Sequence, residues 1–133
     1  AKVLCGNEWQ QHRLAPTILM DVSPEAILRK EETFGPVTSV YVVEDAAAAL
    51  HVANDTSFGL VAAVFTQDLA QAMSFAEDLQ AGMVHVNAGT IQEEAHVPFG
   101  GLGDSGFGRE GTDAAIEELT EWKWITLQPT ASS

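Results

Sequence analysis

The chain has 133 residues, enough for one domain and a real core. Hydrophobic residues make up 46% and charged residues 19%, which argues against disorder. Nineteen acidic residues against six basic ones give a net charge of -13, a field that repels phosphate backbones and anionic membranes, so neither nucleic acid nor membrane is an expected partner.

No apolar run approaches the roughly 18 residues of a membrane span. Cys5 is the one cysteine, which excludes an internal disulfide and a multi-cysteine metal site. Lys2 to Gly6 carries no signal-peptide pattern, and a cytoplasmic location is the default expectation. The chain opens on Ala1 rather than Met, which suits a processed start or a cut through a longer protein.

In chain order, Ser23-Pro24-Glu25 signals a first helix: Ser23 suits the N-cap, Pro24 the first turn and Glu25 the positive end. That helix must end before Gly35-Pro36. Val37 to Val43 alternates and is β-branched, so it reads as a strand. Asp45 caps a second helix, with Ala46, Ala49, Leu50 and Ala53 at helical spacing, and Asn54-Asp55 ends it. Gly59 to Thr66 is a continuous apolar run of strand length, suited to a sheet covered on both faces.

Asp68 starts a third helix, with Gln71 completing a weak capping box and Gly82 the expected stop. Met83 to Asn87 is a short strand and Asn87 to Arg109 a long glycine-rich loop. Thr112 or Asp113 caps a fourth helix through Leu119, Trp122 to Gln128 reads as a last strand, and Pro129 to Ser133 as a loose tail. This alternation predicts an α/β fold with a mostly parallel sheet and flanking helices. A loop of that length is usually functional or belongs to a larger assembly.

Most individual motifs have bland readings. Gly101–Gly106 and Gly106–Gly111 each spell G-x-G-x-x-G, but Pro98 just upstream spoils the required strand, and a tightly packed loop is the better account. Gly103-Asp104-Ser105-Gly106 looks like a serine-hydrolase string, yet Phe107 breaks the G-x-S-x-G elbow, so Ser105 is expected to hydrogen-bond within the loop. His96 near Glu93 and Glu94 lacks a second ligand pair for a metal, and no metal is expected. Cys5 has no helix after it to depress its pKa and is read as structural or incidental.

Glu31 to Val37 is richer. Two carboxylates and Phe34 stand at a helix-to-strand turn, where a carboxylate can accept from ribose hydroxyls and a ring can stack. A helix end with a core phenylalanine explains the same residues, and composition alone favours that simpler account.

Together these strings resemble the aldehyde dehydrogenase superfamily. Glu31-Glu32-Thr33-Phe34-Gly35-Pro36-Val37 is similar to its E-E-x-F-G-P-V motif. Asn54, Phe58-Gly59-Leu60 and Ala62 to Thr66 match N-x-x-x-[YF]-G-L-x-A-x-V-[FW]-T, and Ala81 to Asn87 matches A-G-x-x-x-[VI]-N. Pro98-Phe99-Gly100-Gly101, Ser105-Gly106 and Gly108-Arg109-Glu110 match P-F-G-G-x-x-x-S-G-x-G-R-E. Order and spacing agree across nearly the whole chain.

The resemblance is to the C-terminal part of that family. It implies residues 1–120 as part of a catalytic domain and 121–133 as an oligomerisation strand and tail. It implies that the nucleotide-binding domain, nucleophilic cysteine and general-base glutamate lie upstream, so that no catalytic residue is carried here and the 133 residues alone are inactive. Glu32 would bind the nicotinamide-side ribose of NAD or NADP, Phe34 would pack near the nicotinamide, and Phe99 would line the aldehyde entrance. The implied reaction is thiolate attack on an aldehyde, hydride transfer to NAD(P)+, and release of a carboxylic acid from a thioester.

The remainder of its own chain and further copies in a homo-oligomer are the implied partners. Asn87 to Ala95 and Trp124 to Gln128 look most like enzymes for aromatic aldehydes such as benzaldehyde, salicylaldehyde and vanillin. Many members carry lysine where Gly103 stands, so any contact of that lysine is absent. The rival reading is a free-standing, non-enzymatic association module. A high-salt habitat and an ordinary acidic protein both account for the charge.

Overall fold

In a computed structural model, residues 1–129 are described. Four short strands open the chain: β1 (Lys2–Cys5), β2 (Trp9–Gln10), β3 (Arg13–Leu14) and β4 (Thr17–Met20). β2 and β3 form a hairpin, and β1 pairs antiparallel with β4. Helix α1 (Ile27–Lys30) follows, then β5 (Val37–Val40), which lies parallel to β4 with Thr17 opposite Val37. Thr17 is buried and fully used: its hydroxyl donates to the Ala15 carbonyl at 2.8 Å and accepts from the Asn7 N–H at 2.9 Å.

The second half contains α2 (Ala46–Asn54), β6 (Phe58–Gly59), β7 (Val61–Val64), α3 (Leu69–Asp78), β8 (Met83–Val86), β9 (Leu102–Gly103) and α4 (Thr112–Leu119). β7 and β8 pair in parallel, with α3 packed against them and Ala72 at the centre of that contact, 1% exposed. β6 pairs antiparallel with β9. The apolar run from Gly59 therefore changes partner at Leu60 and makes two strands instead of one.

The α/β content stands, but the expected mostly parallel sheet is corrected. Among the described residues three of the five strand pairings are antiparallel, and the sheets are small and mixed. The opening strands supply two of the three antiparallel pairings, and their short, poorly alternating sequences give no periodic signal.

Local caps show where the sequence rules hold. Asp45 Oδ1 accepts from the Ala48 N–H at 2.8 Å, and Asp68 Oδ1 from Ala70 at 2.9 Å and Gln71 at 3.2 Å, so both expected caps form. Gln71 does not close a capping box; its Oε1 accepts from the Thr66 hydroxyl at 2.9 Å. Ser23 does not cap α1. Its Oγ accepts from the Glu25 N–H and its carbonyl from Ala26, which builds a turn ahead of a helix whose N-cap is Ala26.

Gly111, at φ 95°, occupies the N-cap of α4 in place of Thr112 or Asp113. Gly82 is not the stop of α3, which ends in extended backbone at Leu79. A Cβ at Gly82 would lie 2.0 Å from the Gly100 carbonyl oxygen, so this glycine permits the glycine-rich loop to approach β8.

Trp122 to Gln128 pairs with no strand among the described residues. A lone segment lacks the ladder that defines a strand. Of the expected loose tail, Pro129 to Ser133, residues 130–133 lie outside those described. The accessible surface is 10784 Å², against about 6,800 Å² for a folded monomer of this mass. Among the described residues no large side chain is fully buried, and Leu69, Trp122, Trp124 and Leu127 all stand exposed. Among the described residues no helix is long and apolar enough to cross a membrane.

Candidate cofactor and substrate site

Glu32 stands two residues beyond α1, whose last turn carries two ion pairs. Arg29 meets Asp55 at 2.9 Å, Lys30 meets the same carboxylate at 3.6 Å, and the Arg29 guanidinium lies 5.1 Å from the centre of the Tyr41 ring. The Arg29 hydrogen bond, helped by the Lys30 charge, holds the Asp55 carboxyl below its ordinary 3.8. These contacts tie α1 to the C-terminal end of α2.

Glu32 then lines a groove of about 360 Å³ with Asn54, Thr56, Leu60 and Ser105. The Asn54 side chain is already committed: it donates to the Asp78 carbonyl and accepts from the Gln80 N–H, both at 2.9 Å. Glu32 makes no ion pair among the described residues. Its carboxylate is an exposed acceptor on this groove.

Phe34 is 93% exposed and has φ 43°, a conformation that costs a bulky residue free energy. It is not the core phenylalanine of the simpler account. A strained backbone that presents a ring to solvent fits a stacking surface for a flat ligand. Phe34 does not line the Glu32 groove.

Phe99 is half-buried, and its backbone exchanges two 2.8 Å hydrogen bonds with Glu110. This bridge closes the glycine-rich loop from outside. Arg109 holds it from inside, donating from Nη1 to the Gly101 carbonyl at 2.9 Å and the Gly108 carbonyl at 2.7 Å. In the sequence Arg109 shows only as a lone arginine among glycines, which by itself assigns it no role. Ser105 does hydrogen-bond, but to a partner outside the loop: its Oγ accepts from the Gly59 N–H on β6 at 3.0 Å.

Phe99 lines two grooves. One, of about 520 Å³, runs under the glycine-rich loop and shares Leu60 and Ser105 with the Glu32 groove. The other, of about 370 Å³, includes His85. The structure thus brings Glu32 and Phe99 to adjoining grooves, while Phe34 stands apart from them.

Three N–H groups of the first glycine string already have backbone partners. The N–H groups of Asp104, Ser105 and Gly106 are already given to the carbonyls of Ser57, Leu102 and Gly103. Cys5 lies exposed on β1. Among the described residues no three His, Cys, Asp or Glu side chains come together as a metal site.

Glu32 and Phe99 stand on adjoining grooves, and comparison with known proteins gives the family. The profile of the aldehyde dehydrogenase family matches residues 1–125, and the chain belongs to that family. It is 41% identical to a vanillin dehydrogenase of Pseudomonas fluorescens over 128 residues, covering 96% of this chain and 27% of that protein. It is 43% identical to the benzaldehyde dehydrogenase [NAD(+)] of Pseudomonas putida over 128 residues, covering 96% of this chain and 26% of that one. The crystal structure of a salicylaldehyde dehydrogenase from Pseudomonas putida G7, complexed with salicylaldehyde, superposes with a TM-score of 0.90 at 39% identity, covering 99% of this chain and 27% of that chain. The chain spans about a quarter of the length of the relatives it matches.

Proposed function

We propose that this chain is the segment of an aldehyde dehydrogenase that contributes nucleotide and substrate contacts to the oxidation of an aromatic aldehyde. The observation that carries this is the adjacency of two grooves through Leu60 and Ser105, one bearing the Glu32 carboxylate and the other the Phe99 ring. The relatives, named as dehydrogenases of vanillin, benzaldehyde and salicylaldehyde, support the aromatic class.

NAD or NADP fits the residues present. An unpaired carboxylate accepts from ribose hydroxyls, and the exposed Phe34 ring offers a face to a flat heterocycle. When bound, the nucleotide supplies the hydride acceptor. Glu32 holds and orients the ribose, Phe34 packs near the nicotinamide, and Phe99 lines the aldehyde entrance and limits water. The thiol that takes the aldehyde through a thioester is not Cys5 and comes from the rest of the polypeptide. Residues 1–120 form part of the catalytic domain, and 121–133 the segment that joins subunits in a homo-oligomer. The cytoplasm is the proposed compartment, and the 133 residues alone are inactive.

The test is nucleotide reduction by the full-length gene product with benzaldehyde, salicylaldehyde and vanillin. The reading expects nucleotide reduction with one benzoic acid formed per reduced nucleotide. No oxidation of any of the three overturns it. The second reading, a non-enzymatic association module, draws on the excess apolar surface. It gains if the product oxidises none of the three but forms a stable dimer.

A further inference from the structure

Helix α1 has little of its own to fix its place. It is four residues long, its N-cap Ala26 makes no side-chain cap, and it buries no side chain. A helix this short takes its position from tertiary contacts. Its last turn closes on one carboxylate: Asp55 meets Arg29 at 2.9 Å through one oxygen and Lys30 at 3.6 Å through the other. The Arg29 side chain is only 15% exposed, so this pairing is better shielded than an ordinary surface ion pair.

Both segments joined in this way carry the Glu32 groove. Asn54 and Thr56, on either side of Asp55, line it with Glu32, while Asp55 itself does not. A recess of about 250 Å³ shares Thr56 with that groove and is lined by Arg29, Thr33, Tyr41 and Asp55. Glu32 therefore stands between two residues, Arg29 and Thr33, that border the same recess as Asp55. The chain leaves the tied turn with the Glu31 N–H still bonded to the Ile27 carbonyl at 2.8 Å.

We propose that Asp55 is a positioning residue for nucleotide binding, which holds the Glu32 carboxylate against the wall made by Asn54 and Thr56 through its pairing with Arg29 and Lys30. The inference rests on the reading of Glu32 as the ribose acceptor. A binding group works well only when its supports hold it within about 0.5 Å of the productive place. Asp55 also keeps two cations engaged. Released, Arg29 and Lys30 stand three and two residues before Glu32 and compete with the ribose for its carboxylate.

The experiment measures the Kd of the full-length gene product for NAD+ and NADP+ by titration calorimetry, and its KM for benzaldehyde. The proteins are the parent, Asp55→Asn, Asp55→Glu, Glu32→Gln, and a double variant carrying both Asp55→Asn and Glu32→Gln. Asp55→Asn is expected to raise the Kd of the preferred nucleotide by about fivefold, less than the roughly tenfold expected for Glu32→Gln, and to leave the benzaldehyde KM nearly unchanged. Asp55→Glu, which keeps the charge, is expected to recover part of the loss. The double variant is expected to bind no more weakly than Glu32→Gln alone, because Asp55 acts through Glu32. A multiplied loss in the double variant, an equal loss on nucleotide and aldehyde, or no loss in Asp55→Asn overturns the proposal. If Asp55→Asn does not fold, Arg29→Lys decides in its place, since it keeps a cation but loses the planar fork. A rise in Kd of about threefold that vanishes in the Glu32→Gln background supports the proposal, and an unchanged Kd overturns it. A Glu32→Gln variant with unchanged Kd instead overturns the ribose reading, and this inference with it.

Discussion

The Ser105 hydroxyl accepts a 3.0 Å hydrogen bond from the Gly59 N–H, and so joins the glycine-rich loop to the end of β6. Ser105 lines both the Glu32 groove and the groove under the loop, so this one bond sets the border between the two candidate contacts. Ser105→Ala is expected to cost about 1 kcal/mol, the usual net value of such a bond. Urea unfolding measures it. An unchanged midpoint would mean that the loop is held by Arg109 and the Phe99–Glu110 bridge alone.

Gly82 should be intolerant of any side chain. Its Cβ would collide with backbone, the Gly100 carbonyl, rather than with a mobile side chain. Gly82→Ala is expected to destabilise by about 3 kcal/mol, near the upper end of ordinary single substitutions. Gly89→Ala is the control, because a Cβ there meets nothing within 4 Å. Thermal melts of the two variants should differ clearly, with only Gly82→Ala melting well below the parent.

Acid should weaken the α1–α2 junction in a way traceable to Asp55. Its carboxyl is held below the ordinary 3.8 in the folded chain, first by the Arg29 hydrogen bond and then by the Lys30 charge. The unfolded state therefore binds the proton more readily. The stabilisation is fully present above the unfolded value and is lost as pH falls through the folded one. Asp55→Asn should flatten the fall of the urea midpoint between about pH 5 and pH 2. A variant with the same pH slope as the parent would show that the pairing adds nothing on this partly exposed surface.

The uncovered apolar surface predicts association. Leu69 and Phe65 near the β7–β8 end, and Trp122, Trp124 and Leu127 in the last described segment, are all at least 70% exposed. Patches of this kind usually mark contact sites. Sedimentation of the 133-residue chain should show mass rising with concentration. Replacing Trp122 and Trp124 with serine should reduce it. A clean monomer with a sharp two-state melt would oppose this.

What the sequence disclosed was mostly local. Asp45 and Asp68 cap helices because a carboxylate three residues before an N–H needs nothing else. Ser23 failed because the same chemistry also builds a turn, and nothing local decides between them. Gly82 was misread because a glycine near a helix end and a glycine at a close approach look alike in sequence. The four opening strands were missed because each is two to four residues long and rests on a partner. Glu32 and Phe99 were visible only through motifs. Their adjacency depends on Ser105 and Leu60, which are brought together by pairing between β6 and β9.

The most direct test of the central claim is the effect of Glu32→Gln on the full-length enzyme, with KM for the nucleotide and for benzaldehyde measured separately. The substitution keeps size and removes charge. Loss of charge-assisted hydrogen bonds to a ribose predicts roughly a tenfold or larger rise in nucleotide KM. The aldehyde KM should change little. An unchanged nucleotide KM beside normal aldehyde oxidation would contradict the account and leave the Glu32 groove without its assigned ligand.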